Sequence, residues 1–181
     1  MKSEKNYVWI DLEMTGLNSD VDVILEIATI ITDDQLNIIA KGPSLVINQL
    51  DEKLQIMNDW VRKIHTKSGL IEKVKASNVS VSQAAQETFE FIAEYCVKEK
   101  ALLAGNSVWQ DRAFLKKYMP EIVDYLNYRI IDVSSLKVLV RNWYPSNPHK
   151  DFKKSENHRA LEDIEESIRE LQHYRRYFFV K

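Results

Sequence analysis

The sequence predicts an α/β fold, a mixed sheet flanked by helices, from two observations. First, three segments rich in β-forming residues open the chain, and a short polar segment separates the second from the third. Second, helical segments then alternate with two short apolar strands. The opening segments predict a three-strand antiparallel meander, to which the later segments add further short strands with helices on the faces of the sheet. Because the chain has 181 residues and no repeat or linker-like stretch, we expect a single domain over residues 1–181.

Aromatic and β-branched composition predicts the opening strands. The first begins with Tyr7–Ile10 and ends at the turn signal Thr15-Gly16. Ile24–Thr32 is nearly continuous in β-branched residues, and residues 37–47 form a third strand that we expect to be interrupted at Gly42-Pro43.

Helical periodicity predicts most of the remaining chain. Residues 51–74 are expected to form two or three short helices, and Ser80–Gln83 matches a capping box ahead of the clearest amphipathic helix, which extends to Cys96. The later predicted elements are a strand at 102–104, a helix from about Val108 to before Pro120, a strand at 128–133, a helix at 134–143, a loop at 144–157, a helix from about Arg159, and an aromatic, basic tail at 174–181.

Charge and cysteine content restrict the possible functions. The 25 Lys and Arg residues nearly balance 27 Asp and Glu residues, whereas proteins that grip long nucleic acids nonspecifically usually carry a basic surplus. Any nucleic-acid substrate is therefore expected to be short and held by a few placed groups and metal. The single Cys96, the lack of a signal peptide and the lack of a long apolar run predict a soluble, cytoplasmic protein without a membrane partner.

Two carboxylates occupy the end of the first strand. Asp11 and Glu13 are two residues apart, so their side chains point to the same face. Two close, half-buried carboxylates need a counter-charge, and their hard oxygen ligands suit Mg²⁺ or Mn²⁺. An exposed strand end with two solvated acids is the alternative reading of this pair alone.

Three further residues extend this pair. Asp111 falls in the first turn of a predicted helix, where a carboxylate is also favoured for electrostatic reasons alone. His158 and Asp163 would lie about 140° apart on an ideal helix, so they can share a site only if His158 precedes the helix. Taken singly, His158 could be an exposed loop histidine and Asp163 a solvated helix acid.

Together the five residues, in this order, resemble the DEDDh exonuclease family of the ribonuclease H-like superfamily. Within that family the flanking segments are similar to those of oligoribonucleases, and the resemblance covers essentially the whole chain. These segments are Trp9–Leu17, Gly105-Asn106-Ser107 with Gln110-Asp111, Tyr128-Arg129 leading to Asp132-Val133-Ser134, and His158-Arg159-Ala160.

The resemblance implies removal of nucleoside 5′-monophosphates from RNA 3′ ends by two divalent cations, Mg²⁺ or Mn²⁺. Two cations about 3.5–4 Å apart can stabilise the charge that develops on the entering and the leaving oxygen. Asp11 would bridge the ions, Glu13 and Asp163 would hold one, and Asp111 would help to hold the other. His158 would take the proton of the attacking water.

The resemblance also assigns substrate residues. Leu17 would wedge between two bases, while Trp60 and His65 would bracket the 3′ nucleotide. Ser107 and Ser134 would bind a terminal 5′ phosphate with Arg129 of a second subunit, and Tyr128 of that subunit would stack on the 5′ base, which implies a homodimer. Gln110 belongs to the same similar segments and is included among the substrate-binding candidates.

Three alternatives remain open on the sequence. Leu17 and Trp60 could be core residues and Ser134 a helix cap. The chain could be a DEDDh exonuclease that acts on longer RNA or DNA ends. It could also be a metal-free RNA-binding dimer module, although such a module should have lost at least one of the five residues, and all five are present.

Overall fold

A computed structural model describes residues 2–153 and 159–179 as helices packed on a five-stranded sheet of order β3-β2-β1-β4-β5. The strands are β1 (Tyr7–Met14), β2 (Ile24–Thr32), β3 (Ile38–Val46), β4 (Leu102–Gly105) and β5 (Ile130–Asp132). The first three strands form the predicted antiparallel meander, whereas β4 pairs with β1, and β5 with β4, in parallel. The mixed α/β sheet predicted from the sequence is therefore confirmed.

The described helices agree with the periodicity in number and place, with one addition. They are α1 (Asp51–Gln55), α2 (Asp59–Lys67), α3 (Leu70–Ala76), α4 (Val81–Tyr95), α5 (Trp109–Tyr118), α6 (Pro120–Tyr125), α7 (Val133–Trp143) and α8 (Ala160–Phe178). The addition is α6, which begins with proline, a residue whose missing N–H would have no helical partner at this first position.

Two predictions about continuity were wrong. β3 runs through Gly42-Pro43, because two residues of β3 oppose Thr29 alone on β2 and this bulge absorbs the irregularity. Gly42 is required there, since a Cβ would collide with the Phe91 ring of α4. The expected tail is also largely helical: α8 continues to Phe178, because Tyr174 is fully buried and packs on the preceding turns.

The alternation of side chains along β1 assigns its residues to two cores. Val8, Ile10 and Leu12 pack with α4, α5 and α6 on one face of the sheet. Trp9 points to the opposite face and packs with Ile164 and Ile168 of α8. Asp11 and Glu13 follow Trp9 at intervals of two, so the face that carries them is the face that α8 covers.

None of the helices within residues 2–153 and 159–179 combines the length and the apolar character that a membrane span requires.

Candidate active site

Three carboxylates from two elements converge at the C-terminal end of β1. One oxygen each from Asp11, Glu13 and Asp163 lies within 4.8 Å of the others, and all three side chains are half-buried. Asp163 lies in the first turn of α8, where the helix dipole favours a negative charge. The packing of α8 on β1 therefore joins residues that are 150 positions apart in the sequence.

The mutual repulsion of these carboxylates favours the binding of a cation. Burial raises the pKa of Glu13 to about 8, and the negative charges of Asp163, Glu26 and Asp111 add to the effect. Carboxylate oxygens packed this closely repel one another, while a hard divalent cation relieves the repulsion and finds ligands that it prefers. The donor set therefore fits a divalent metal.

Asp111 lies deeper and reaches the same strand from α5. Its Oδ1 accepts the Leu12 N–H at 3.0 Å, which ties α5 to the strand residue between Asp11 and Glu13. Burial raises the pKa of Asp111 to about 7, and the Asp132 charge acts in the same direction. Among the described residues, its oxygens are outside the group that meets within 4.8 Å.

A buried ion pair borders the carboxylates. Glu26 lies directly opposite Glu13 in the β1–β2 ladder and is almost fully buried. Arg159 binds it in bidentate fashion, with Nε 3.0 Å from Oε2 and Nη2 2.6 Å from Oε1. The Arg159 carbonyl also accepts the Asp163 N–H at 3.0 Å, so the pair fixes the start of α8 and with it the turn that carries Asp163.

A cavity of about 450 Å³ opens beside Glu13. Its lining is mainly apolar and comprises Leu12, Glu13, Met14, Gly16, Leu17, Asn58, Trp60, Val61, Ile64 and His65. Leu17 is 71% and Trp60 70% exposed, so the alternative that they are core residues is wrong. Two large, exposed apolar side chains at the mouth of one cavity form a surface suited to stacking on flat rings.

His65 and Gln110 are placed differently from Trp60. His65 is buried at the wall of the cavity; its Nε2 donates to the Met14 carbonyl at 2.9 Å, and its Nδ1 is 3.8 Å from a Glu13 oxygen. Gln110 donates from Nε2 to the Leu17 carbonyl. Gln110 therefore holds the loop that presents Leu17.

A second polar group lies where β4 and β5 end. The Ser107 hydroxyl donates to the Ser134 hydroxyl at 3.1 Å, and the N–H groups of both residues donate to Asp132 Oδ1. Asp132 is thus the N-cap of α7, and the alternative that Ser134 caps this helix is wrong. Ser107 adopts φ 51°, a left-handed conformation that is uncommon for a non-glycine residue.

Tyr128 and Arg129 lie immediately before β5. Tyr128 is 70% exposed, and the Arg129 guanidinium lies 4.5 Å from the centre of its ring. This cation–π pair leaves a large aromatic surface uncovered in one chain.

Comparison with known proteins places these residues in a family. Residues 8–171 match the RNase T family model, described as exonuclease. The oligoribonuclease of Shewanella oneidensis is 53% identical over 170 residues, which are 94% of this chain and 93% of that protein. The oligoribonuclease of Shewanella frigidimarina is 51% identical over 174 residues, 96% of each chain.

The chain belongs to the oligoribonuclease family of exonucleases. It is therefore an enzyme of the nuclease class. The cluster of three carboxylates in a member of an exonuclease family implies dependence on a divalent metal.

Solved structures support the fold of this oligoribonuclease family member. Exonuclease I of Methylocaldum szegediense superposes with a TM-score of 0.74 at 14% identity, over 96% of this chain and 41% of that one. The zinc-bound complex of E. coli exonuclease I with single-stranded DNA gives a TM-score of 0.73 at 14% identity, over 98% and 41%. The chain spans about two fifths of the length of these structures.

The prediction for His158 lies outside the described residues, so it stays a prediction. Sequence reasoning missed Glu26, Arg159 as its partner, and Asp132. A signal for Glu26 was present, because it is the only charged residue in the otherwise apolar or neutral strand β2, where an unpaired carboxylate would be costly.

Proposed function

We propose that this protein is a cytoplasmic 3′-to-5′ exoribonuclease, folded as one domain over residues 1–181, that degrades short oligoribonucleotides and prefers 5′-phosphorylated dinucleotides. The observation that carries the proposal is the convergence of Asp11, Glu13 and Asp163, because Glu13 also lines the cavity that is framed by Leu17 and Trp60. Ligands for cations and a stacking surface for bases therefore adjoin.

The carboxylates would hold two divalent cations, Mg²⁺ or Mn²⁺. Asp11 would contact both, Glu13 and Asp163 would hold one, and Asp111 would help to hold the other from its position beside Leu12. When bound, two cations stabilise the charge that develops on the entering and the leaving oxygen of a phosphodiester. His158 would accept the proton of the attacking water. The products are a nucleoside 5′-monophosphate and a chain shortened by one nucleotide.

The apolar cavity would take the 3′ nucleotide. The Leu17 carbonyl accepts a hydrogen bond from Gln110. This bond would hold the loop so that the Leu17 side chain is in position before substrate binds. Trp60 offers an exposed ring face. His65 would line the nucleotide subsite from beneath, with its Nε2 proton occupied by Met14.

The hydroxyls of Ser107 and Ser134 would bind the 5′ phosphate, with Arg129 of a second subunit as its counter-charge. A site closed at this phosphate measures length, because a longer chain must push its next nucleotide into the capping groups. The near balance of 25 cationic and 27 anionic residues is consistent with a short substrate.

Digestion of an end-labelled RNA ladder of two to ten nucleotides, with and without Mg²⁺ or Mn²⁺, tests the proposal. We expect metal-dependent release of mononucleotides, fastest on the 5′-phosphorylated dinucleotide. Faster digestion of the longest RNAs would instead identify an exonuclease of longer ends. Binding without cleavage would identify a non-catalytic module.

Subunit sharing is tested separately by combining two variants that are each impaired as homodimers. In a homodimer, Tyr128 of one subunit would stack on the 5′ base held by the other. A heterodimer of Tyr128→Ala and Asp163→Asn chains then contains one site with both residues intact, so activity should reappear after co-expression. No recovery in verified heterodimers would mean that Tyr128 acts within its own chain.

A further inference from the structure

A buried polar network lies directly behind Ser107 and Ser134. Glu170 of α8 is fully buried; its Oε1 forms an ion pair with Lys137 Nζ and accepts from the Tyr174 hydroxyl, each at 2.9 Å. Its Oε2 accepts from Asn106 Nδ2 at 3.1 Å. A fully buried carboxylate lowers stability unless it is paired and hydrogen-bonded. Both oxygens of Glu170 therefore need donors or a cation close to them.

The network fixes the orientation of the Asn106 amide. The Asn106 Nδ2 donates both to Glu170 and to Ser167 Oγ, at 2.7 Å from the latter. Ser167 uses its own hydroxyl proton on the Asp163 carbonyl, so its oxygen is free only to accept here. Two acceptors on one side hold the NH₂ group toward α8 and leave Asn106 Oδ1 facing the other way.

That orientation directs the protons of the two serines. The Ser134 hydroxyl donates to Asn106 Oδ1 at 3.1 Å, and its oxygen then accepts from Ser107. The proton of Ser107 is therefore the one that can turn to an incoming anion at the cost of a single neutral hydrogen bond. Turning the Ser134 proton away would leave the Asn106 oxygen without this donor.

We propose that Glu170, held by Lys137, is a positioning residue for 5′-phosphate recognition: through Asn106 it fixes the Ser134 hydroxyl and leaves the Ser107 proton available to the phosphate. This inference rests on the proposed function of the two serines. It extends that function to residues that touch no substrate.

Glu170→Gln is the informative variant because glutamine has a single side-chain oxygen. Its NH₂ group must face either the Lys137 ammonium or Asn106, and the donor facing a cation is the worse arrangement. The NH₂ group therefore turns to Asn106 and disfavours the native amide orientation. Asn106→Ala interrupts the same path with a milder change at the buried carboxylate.

The measurement is the ratio of kcat/KM for one dinucleotide with and without its 5′ phosphate. We expect Glu170→Gln and Asn106→Ala to lower this ratio by about tenfold, the effect of one lost hydrogen bond to a charged group. Cleavage of the unphosphorylated dinucleotide should stay unchanged. Affinity for the 5′-phosphorylated dinucleotide in EDTA, measured by calorimetry, should fall in parallel.

Two control variants separate positioning from general destabilisation. Tyr174→Phe removes another hydrogen bond from the same Glu170 but none from Asn106, so it should lower stability and keep the ratio. Lys137→Arg preserves the cation and should also keep it. If Glu170→Gln does not fold, Asn106→Ala decides the question alone.

The outcomes distinguish the inference from the function on which it rests. A wild-type protein without any preference for the 5′ phosphate would overturn the assignment of the serines, and the inference with it. A wild-type preference that survives in both Glu170→Gln and Asn106→Ala would overturn only the inference. An equal loss in Tyr174→Phe would mean that Glu170 has a general structural role.

Discussion

The carboxylates around Glu13 and the network around Glu170 solve the problem of buried charge in opposite ways. Glu170 meets a cation, a hydroxyl and an amide of its own chain. Glu13 instead faces Asp163, Glu26 and Asp111, and burial raises its pKa to about 8. Glu170 is paired with a cation of its own chain, whereas the like charges around Glu13 favour the binding of a ligand of opposite charge.

This difference separates acids with a structural role from the acids that we propose as metal ligands. Glu13 and Glu26 are cross-strand neighbours, yet of these two only Glu26 forms an ion pair with an arginine, Arg159. Burial alone therefore does not identify a candidate metal ligand. The partners of the carboxylate do.

The largest expected effect comes from removing one of the carboxylates near Glu13. Asp163→Asn or Asp111→Asn should abolish turnover, because each removes a proposed metal ligand, while the thermal stability of the metal-free protein holds or rises slightly as repulsion is relieved. Steady-state kinetics and thermal unfolding in EDTA measure both effects. Glu162→Gln, a change at the exposed acid beside Asp163, is the control and should remain active. Near wild-type hydrolysis by Asp163→Asn at saturating Mg²⁺ would exclude the metal-ligand assignment.

Next in size is the effect of removing the proposed proton acceptor. His158→Ala should lower the rate by about 10²- to 10⁴-fold, the usual contribution of a general base, and largely keep metal affinity. Turnover and Mn²⁺ titration calorimetry separate the two quantities. His149→Ala, a change at another histidine earlier in the sequence, should keep activity. Loss of metal binding in His158→Ala would reassign His158 as a ligand.

The ion pair between Glu26 and Arg159 should contribute to stability. Arg159→Met should lower the free energy of unfolding by about 3 kcal/mol, because it leaves the Glu26 carboxylate buried and unpaired. Urea unfolding measures the change. Arg169→Met, on the same helix, removes only longer contacts of 3.8 and 4.0 Å and should cost less than about 0.5 kcal/mol. A double variant with Glu26→Gln should recover much of the loss, and equal destabilisation by the two arginine variants would contradict this account.

The smallest effect, when expressed per pH unit, is a pH dependence of the stability of the metal-free protein. The pKa of Glu13 is about 8 in the folded state against 4.5 as its ordinary value, so between these pH values the folded state binds the extra proton. Stability should therefore fall as pH rises from about 4.5 to about 8, by at most about 1.4 kcal/mol per pH unit for one group. Urea unfolding in EDTA at pH 5, 6.5 and 8 measures the slope, which Glu13→Gln should reduce. Addition of Mg²⁺ at pH 8 should restore stability, and a slope that is identical in Glu13→Gln would assign the dependence to other groups.

Local signals predicted most of the fold. β-branched runs predicted the meander, and the cap at Ser80, whose Oγ accepts the Gln83 N–H at 3.1 Å, predicted the start of α4. The errors arose where tertiary contacts override local preference. Gly42-Pro43 reads as a break, but the bulge against Thr29 keeps β3 continuous, and packing of Tyr174 extends α8 through an aromatic, basic segment.

The order of the five residues in the sequence identifies the family, and the period of a strand places Asp11 and Glu13 on the same face. Which charges meet depends on the tertiary structure. Asp163 reaches Glu13, Arg159 reaches Glu26 and Asn106 reaches Glu170 because α8 packs across β1, β2 and β4. Electrostatic energies depend on distances between atoms in space, and no local period encodes a distance between residues that lie 64 to 150 positions apart.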